Sequence, residues 1–170
     1  MKQDLRKKYL EIRKNIENRT ERNKIIFHEV LNEIKNIPLV LIYVSLRDEV
    51  DTFEIIKEVI KTKKVGVPKV ENDVINFYLI NSLEELKKGS FNVLEPITNE
   101  KIVDFSNSVC IVPGICFNTL GYRIGYGKGY YDRFLSNYDG YSIGLTYKEC
   151  LILDKFQDSY DVKVKKIICK

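Results

Sequence analysis

Residues 39–67, LVLIYVSLRDEVDTFEIIKEVIKTKKVGV, contain the pattern that decides the fold. The first six residues are almost wholly apolar, which is typical of a strand covered on both faces in a parallel sheet. The polar stretch 45–51 predicts a loop, and Thr52 is placed to cap a helix with an apolar face of Phe53, Ile56, Val59 and Ile60. Residues 65–67 predict the next strand. This succession of strand, helix and strand indicates an α/β fold.

The remaining chain repeats the alternation of helices and strands. Helical spacing predicts one helix over 2–18 and a second from Thr20 as N-cap through Ile34, stopped by Pro38. Ser82 to Glu85 fits a capping box that opens a short helix ended by Gly89. A further helix is expected over about 130–138, and strands are expected at 74–80, 109–112, 141–146 and 164–168. We therefore predict a layered α/β domain with a mainly parallel sheet, whose ligands bind beyond the carboxyl ends of the strands.

Length and composition fit one domain covering residues 1–170. The chain is 44% hydrophobic and 31% charged, and no apolar run reaches the ~18 to 20 residues that span a bilayer. The N-terminus lacks the apolar core of a signal peptide, so we expect a cytoplasmic protein. The net charge of +4 is scattered along the chain, which argues against nucleic-acid binding. We expect a monomer, with a dimer as the alternative.

The cysteines and the single histidine offer little chemistry. Cys110, Cys116, Cys150 and Cys169 contain no C-x-x-C pair, and only His28 could join them at a metal. We interpret the cysteines as reduced thiols, mostly in the core. His28 lies in a polar-flanked helical stretch that is typical of a surface.

The segment 113–133, PGICFNTLGYRIGYGKGYYDR, concentrates the residues that could bind an anion. Three alternating glycines, Gly125, Gly127 and Gly129, allow positive φ and close approach of a ligand. Exposed N–H groups ahead of a helix favour phosphates, and Arg123 and Lys128 add positive charge. The segment is not a Walker loop, because glycine follows the lysine, and it lacks the G-x-G-x-x-G spacing of dinucleotide sites. A glycine-rich hairpin or tight turn is the alternative interpretation.

The same segment resembles the signature of the 5-formyltetrahydrofolate cyclo-ligase family, also called methenyltetrahydrofolate synthetase. The resemblance is carried by Pro113-Gly114, Phe117, Gly121, Arg123, Gly125 and the run 127–133, GKGYYDR. It implies ATP binding, with Lys128 and Arg123 acting on the transferred phosphoryl group. The residues that it implies around ATP in this loop are Gly125, Tyr126, Gly127, Lys128, Gly129, Tyr130 and Tyr131.

The resemblance extends to the first helix, where Lys2 and Arg6 are spaced i to i+4 and project from one face. By themselves they are more typical of a solvated surface. The resemblance implies that they contact ATP.

A second matching region is 43–52, YVSLRDEVDT. Taken alone, it fits a helix-capping loop whose acids are favoured by the helix dipole. The resemblance implies that Glu49 and the backbone near Val44 hold the folate, together with Tyr130 and Tyr131. A carboxylate suits a pterin, which presents several N–H donors. Both tyrosines could instead pack in the core.

The resemblance also implies a magnesium site formed by Asp132 and Asp161. Many family members carry another acid four residues after Asp161, where this chain has Lys165. Without the resemblance, Asp132 could be a first-turn acid that stabilises a helix dipole.

Taken together, the resemblance implies a three-layer α/β/α sandwich similar to the sugar-phosphate isomerase and CoA-transferase folds. The implied reaction is the ATP- and Mg²⁺-dependent closure of 5-formyltetrahydrofolate to 5,10-methenyltetrahydrofolate, with release of ADP and phosphate. The implied partners are these small molecules. Two alternatives stay open: a paralogue acting on another folate-like or phosphorylated substrate, and a non-catalytic module that binds nucleotide or RNA.

Overall fold

A computed structural model describes residues 1–170, in which helices and strands alternate. The helices are α1 (Lys2–Lys14), α2 (Arg19–Glu33), α3 (Phe53–Val59) and α4 (Tyr130–Ser136). The strands up to the middle of the chain are β1 (Leu39–Ile42), β2 (Lys64–Glu71), β3 (Val74–Ile80), β4 (Leu86–Lys88), β5 (Leu94–Pro96) and β6 (Ser108–Val112). The later strands are β7 (Cys116–Asn118), β8 (Arg123–Ile124), β9 (Tyr141–Thr146), β10 (Leu151–Ile152) and β11 (Lys166–Cys169).

The central sheet has six strands in the order β11-β9-β6-β1-β2-β3. All neighbouring pairs are parallel except β2 and β3, which form an antiparallel hairpin at one edge. The expected mainly parallel sheet is confirmed. Strand β1 has β2 on one side and β6 on the other, so the chain reverses direction across the sheet at β1 and β6.

Alternate residues of the strands bury opposite faces of the sheet, as a period of two requires. On β1, Val40 and Ile42 belong to the core on the side of α1, α2 and α3. Leu39 and Leu41 belong to the core on the other side, which Leu135 of α4 also joins. The sheet therefore lies between three helices on one face and α4 with several loops on the other. The predicted layering of α/β/α is present, with a sparse second layer.

Two predicted helix boundaries were wrong, and asparagines explain both. Helix α1 ends at Lys14 instead of 18, where the Asn15 side chain donates a hydrogen bond to the Glu11 carbonyl. Asn18, and not Thr20, is the N-cap of α2, with a φ of 56°. Asparagine tolerates this left-handed conformation better than most residues, so the chain can turn sharply between the two helices.

The helix expected from Ser82 to Gly89 was also wrong. The Ser82 hydroxyl accepts a hydrogen bond from Glu84 N, and Glu85 accepts from Asn81 N, but these bonds close only one 3₁₀ turn over Leu83–Glu85. The chain then extends into β4, which pairs with β5 in an antiparallel hairpin. Pairing with another strand overrides the local helical signal here.

The segment 113–133 contains a hairpin, as the alternative interpretation held, but the hairpin precedes the alternating glycines. Strands β7 and β8 pair antiparallel around Gly121, which has a φ of +97°. At three and two residues, these strands are too short to give a periodic signal.

No helix in the chain has the length and apolar character needed to cross a bilayer. Cys110, Cys116 and Cys150 are buried, and all four cysteines are free thiols. Burial raises the pKa of Cys116 to about 12 and that of Cys150 to about 11, so both stay protonated at neutral pH. His28 is exposed, as expected.

Candidate functional site

A cleft opens at the carboxyl ends of β1, β6 and β9, where α/β sheets bind their ligands. Its walls come from the residues that follow β1, the Gly114 turn after β6 and the end of β9. It lies beside the reversal of strand order at β1 and β6, where diverging connections leave a natural crevice. Its lining is mainly apolar, with Arg13 and Glu49 as its charged residues.

The connection between β1 and α3 holds Glu49 in this cleft. Thr52 Oγ1 donates to the Tyr43 carbonyl at 2.7 Å and accepts from Ser45 N at 3.0 Å, so it ties the helix start to the strand end. Thr52 thus pins the loop and does not cap α3 through its side chain. Val44, the expected folate contact, is buried beside this connection.

Glu49 is only 7% exposed, and its carboxylate accepts a single hydrogen bond. Oε2 accepts from Leu46 N at 2.8 Å, and Oε1 accepts from no protein group. Burial raises the pKa of Glu49, although the Leu46 hydrogen bond and the charge of Arg13 oppose that effect. A buried carboxylate with a free oxygen is suited to accept N–H donors from a ligand.

The alternating glycines form a loop between β8 and α4. Gly127 and Gly129 have φ values of +97° and +70°, conformations that L side chains rarely adopt. Arg6 of α1 donates from Nε to the Gly125 carbonyl at 2.7 Å, so the first helix supports the loop from outside. Lys128 is exposed, and its side chain makes no hydrogen bond or ion pair. Its ammonium group is free to reach a bound anion.

Arg123 lies beneath this loop with only 7% of its surface exposed. Its guanidinium is 3.6 Å from Asp132 Oδ2 and 5.3 Å from the centre of the Tyr131 ring. Burial lowers the pKa of Arg123, and the charge of Asp132 opposes that effect. A Cβ at Gly125 would lie 2.8 Å from Arg123 Nη1, so the absence of a side chain at Gly125 leaves space for the guanidinium.

The expected magnesium carboxylates approach the same loop from two directions. Asp132 Oδ1 accepts from Val162 N at 3.2 Å, which joins α4 to the C-terminal segment. In that segment, Asp161 Oδ2 accepts from Asp158 N at 2.8 Å and from Lys2 Nζ at 2.5 Å. Nowhere in the chain do three or more metal-binding side chains converge on one point.

Lys165, which occupies the position of the family's further acid, lies apart from these carboxylates. Its ammonium donates to the carbonyls of Asp139 and Gly140 at 3.4 and 2.9 Å. The lysine therefore secures the turn before β9 and brings no positive charge into contact with Asp132 or Asp161.

Tyr130 and Tyr131 both pack against the core, which was the alternative left open for them. Burial raises the pKa of Tyr131 well above its usual range. The Tyr130 ring has Arg133 above it at 5.4 Å, and Arg133 also donates to the carbonyls of Lys128 and Asp73 at 2.9 Å each. Arg133 thus connects the glycine loop to the turn between β2 and β3.

Arg13, which belongs to no sequence motif, joins the cleft to the glycine loop. Its guanidinium donates to the Tyr126 hydroxyl at 2.7 Å and to the Gly114 carbonyl at 3.3 Å. A signal was present: Arg13 lies seven residues after Arg6, nearly two helical turns, and therefore on the same face of α1. The structure thus gathers Lys2, Arg6 and Arg13 along one side of the site.

The chain is similar in sequence to known proteins. A sequence model of the 5-formyltetrahydrofolate cyclo-ligase family matches residues 1–170. The chain is 29% identical over 161 residues to a mouse 5-formyltetrahydrofolate cyclo-ligase, an alignment covering 85% of this chain and 78% of that protein. It is 32% identical to a mitochondrial one from Arabidopsis thaliana, covering 71% of this chain and about half, 51%, of the plant protein.

The fold is similar to a solved structure from the same group of enzymes. The NMR structure of Aquifex aeolicus 5,10-methenyltetrahydrofolate synthetase superposes with a TM-score of 0.89 at 32% identity, covering 99% of this chain and 89% of that one. The match over the whole chain, together with this shared fold, makes the chain a member of the 5-formyltetrahydrofolate cyclo-ligase family.

Proposed function

We propose that the protein converts 5-formyltetrahydrofolate and ATP into 5,10-methenyltetrahydrofolate, ADP and phosphate. The observation that carries this proposal is the direct contact between two half-sites. The folate half-site is the cleft with Glu49, and the nucleotide half-site is the loop with Lys128. They meet where Arg13 donates to the Tyr126 hydroxyl. A folate in the cleft and a nucleotide on the loop would therefore be neighbours, as a transfer between them requires.

The reaction needs positioning and charge neutralisation more than a protein nucleophile. The formyl oxygen attacks the γ-phosphorus of ATP, and the bond from that phosphorus to the bridging oxygen of ADP breaks. N10 of the folate then attacks the activated carbon and releases its proton to water or phosphate, and the former formyl oxygen leaves within phosphate. Lys128 is free to neutralise charge on the moving phosphoryl group, and Arg123 adds a second positive charge beside the loop. Arg6 supports the loop through the Gly125 carbonyl.

The residues that would hold Mg²⁺ are Asp132 and Asp161. The donor set fits this ion, since it consists of hard carboxylate oxygens. In each carboxylate, one oxygen accepts a hydrogen bond from a backbone N–H and the other does not. The oxygen without a backbone hydrogen bond is Oδ2 in Asp132 and Oδ1 in Asp161. Two protein carboxylates are enough, because Mg²⁺ usually takes its other ligands from water and substrate phosphates. When bound, Mg²⁺ would neutralise charge on the phosphate oxygens.

The folate side of the site rests on Glu49. Its free Oε1 lies at a mainly apolar cleft, where it is available to accept from an N–H donor of a flat ring. Val44 supports this position from the end of β1, and we assign Tyr130 and Tyr131 to the boundary between the two half-sites. We also propose that the protein is cytoplasmic and monomeric, as expected from the sequence.

A direct assay tests the proposed function. Purified protein is mixed with 5-formyltetrahydrofolate and MgATP, and the methenyl product is followed by its absorbance. We expect product only when folate, ATP and Mg²⁺ are all present, with one ADP released per product. Folded protein that binds ATP without forming product would contradict the proposal and favour a non-catalytic nucleotide-binding role.

A further inference from the structure

Arg133 joins two loops that lie far apart in the sequence. Its Nη1 donates to the Lys128 carbonyl and its Nη2 to the Asp73 carbonyl, at 2.9 Å each. The guanidinium also lies over the Tyr130 ring, 5.4 Å from the ring centre. The side chain is exposed, yet these three contacts hold it in one conformation, whereas a free surface arginine keeps its rotamer freedom. Arg133 therefore acts on the conformation of the two loops.

The glycine at position 129 makes the contact with Lys128 possible. Arg133 lies one helical turn after Gly129, and side chains on a helix lean towards its N-terminus, so the guanidinium reaches back over the start of α4. Gly129 has a φ of +70°, and a Cβ there would lie 2.9 Å from Arg133 Nη1. Any other residue at 129 would strain the backbone and crowd the guanidinium.

The other end of the connection is a rigid point of the fold. Strands β2 and β3 stay paired up to Glu71 and Val74, so only Asn72 and Asp73 form the turn between them. These two residues have φ values of 50° and 60°, which is the tight turn that matches the twist of a hairpin. The Asp73 carbonyl is thus fixed by the sheet, and Arg133 fastens the more flexible glycine loop to it.

The residue that Arg133 fastens is Lys128 itself. The Lys128 carbonyl accepts from Arg133 and from no main-chain N–H group, and glycines flank it on both sides. Its ammonium group makes no hydrogen bond or ion pair, so nothing at the tip of the side chain fixes its direction. The hydrogen bond from Arg133 therefore sets the peptide from which this side chain projects.

We propose that Arg133 is a positioning residue for phosphoryl transfer, which holds the Lys128 carbonyl and so directs the Lys128 ammonium group towards the transferred phosphoryl group. This inference rests on the proposed function, and it assigns to Arg133 no contact with ATP. Without Arg133 the loop keeps its glycines and its N–H groups and still binds nucleotide. Lys128 then lacks a fixed starting point, and a displacement of about 1 Å at a reacting centre can cost about 100-fold in rate.

The experiment is a double-mutant cycle in kcat, with Arg133→Met made in the wild type and in Lys128→Met. In the wild type we expect kcat to fall about 10- to 100-fold, with KM for ATP changed by less than about threefold. In Lys128→Met the same substitution should lower kcat by less than about twofold, because no ammonium group is left to direct. Arg133→Lys should recover only part of kcat, since one ammonium group does not replace a fork that donates to two carbonyls.

The matched control is Lys63→Met. Lys63 also donates to two main-chain carbonyls, those of Lys35 and Ile37 at 2.9 and 2.8 Å, but it precedes β2 at the amino ends of the parallel strands, away from the site. We expect Lys63→Met to melt at a lower temperature with kcat unchanged. A fall in kcat equal to that of Arg133→Met would overturn the inference, because any lost main-chain anchor would then slow the reaction.

Three other results would overturn it as well. An unchanged kcat for Arg133→Met removes the positioning role, an equal loss in both arms of the cycle shows that Arg133 does not act through Lys128, and full recovery by Arg133→Lys shows that charge alone matters. If Arg133→Met fails to fold, the cycle is run with Arg133→Lys, and an unchanged kcat overturns the inference there too. A wild type that forms no methenyl product overturns the proposed function, whereas an active wild type with any of these results overturns only the role of Arg133.

Discussion

Lys2 Nζ lies 2.5 Å from Asp161 Oδ2, although the two residues are 159 positions apart. The contact joins a cation that resemblance assigns to ATP with a carboxylate that it assigns to Mg²⁺. Asp158 also accepts from Lys2, at 2.8 Å. Burial alone would lower the pKa of Lys2, but the hydrogen bonds to both carboxylates raise it. The first helix and the C-terminal segment therefore close one side of the candidate nucleotide site together.

The contact between Lys2 and Asp161 predicts that Lys2→Met binds ATP more weakly than the wild type. The variant loses a charge beside the glycine loop and releases the segment around Asp161. We expect KM for ATP to increase about 10-fold or more, with a smaller effect on KM for the folate. Steady-state kinetics with each substrate varied in turn measure this difference. The control is Lys7→Met, an exposed lysine on the same helix, and a similar increase for both variants would contradict the assignment.

Glu49→Gln is expected to lose folate binding while retaining ATP binding. The amide can still accept from Leu46 N, so the loop keeps its conformation, but the negative charge that attracts N–H donors is lost. Equilibrium binding of each ligand, with Glu54→Gln on the exposed face of α3 as the control, measures the effect. Equal loss of both ligands would indicate a structural role instead.

The same variant should change how stability depends on pH. Because burial raises the pKa of Glu49, the folded state binds more protons than the unfolded state between the unfolded and folded pKa values. Over that interval, the free energy of unfolding of the wild type falls as pH rises. The glutamine variant lacks this contribution, so its Tm relative to wild type should increase from about pH 4 upwards. A difference in Tm that decreases with pH would disprove the environment assigned to Glu49.

Asp132→Asn should weaken the dependence of turnover on Mg²⁺ and slightly destabilise the fold. The amide can keep the hydrogen bond from Val162 N but leaves the buried Arg123 without its nearest negative charge. We expect a loss of about 1 kcal/mol, or a Tm lower by about 2 to 4 °C. A magnesium titration of turnover tests the metal role, and identical titrations for variant and wild type would refute it.

The fold could be predicted from sequence where elements are long and periodic. Strands β3 and β9 have the bounds that the pattern predicted, and β1 and β6 differ from it by one or two residues. The short strands β7, β8 and β10 were missed because two or three residues carry no periodicity. The helix expected at Ser82 was wrong because this segment continues into β4, which pairs with β5. A local sequence pattern does not report pairing with a strand elsewhere in the chain.

The site could be predicted only as far as its residues belong to a motif. The glycines, Lys128 and Asp132 share one short segment, and Glu49 follows a clear strand. Arg13 was missed because its role depends on two contacts more than 100 positions away, with Gly114 and Tyr126. No spacing along the chain reports that an arginine is buried without a counter-ion.

Lys128→Met should strongly reduce turnover without lowering the free energy of unfolding. The ammonium group is exposed and makes no hydrogen bond or ion pair within the protein, and such a surface lysine usually matters to folding by less than about 0.5 kcal/mol. In the proposed reaction it neutralises charge on the phosphoryl group. Losing one well-placed contact of that kind costs about 10²- to 10³-fold in kcat. We therefore expect a Tm near that of wild type and turnover lower by at least about two orders of magnitude.

Two further variants separate charge from geometry at this position. Lys128→Arg should recover only part of the turnover, because a planar fork does not replace a compact ammonium at a phosphate. Lys155→Met, an exposed lysine outside the loop, should behave as wild type. Thermal melting and single-turnover kinetics on all three variants distinguish the possibilities. A methionine variant that retains most of its turnover would exclude Lys128 from the reaction, and one that fails to fold would show that the glycine loop is structural.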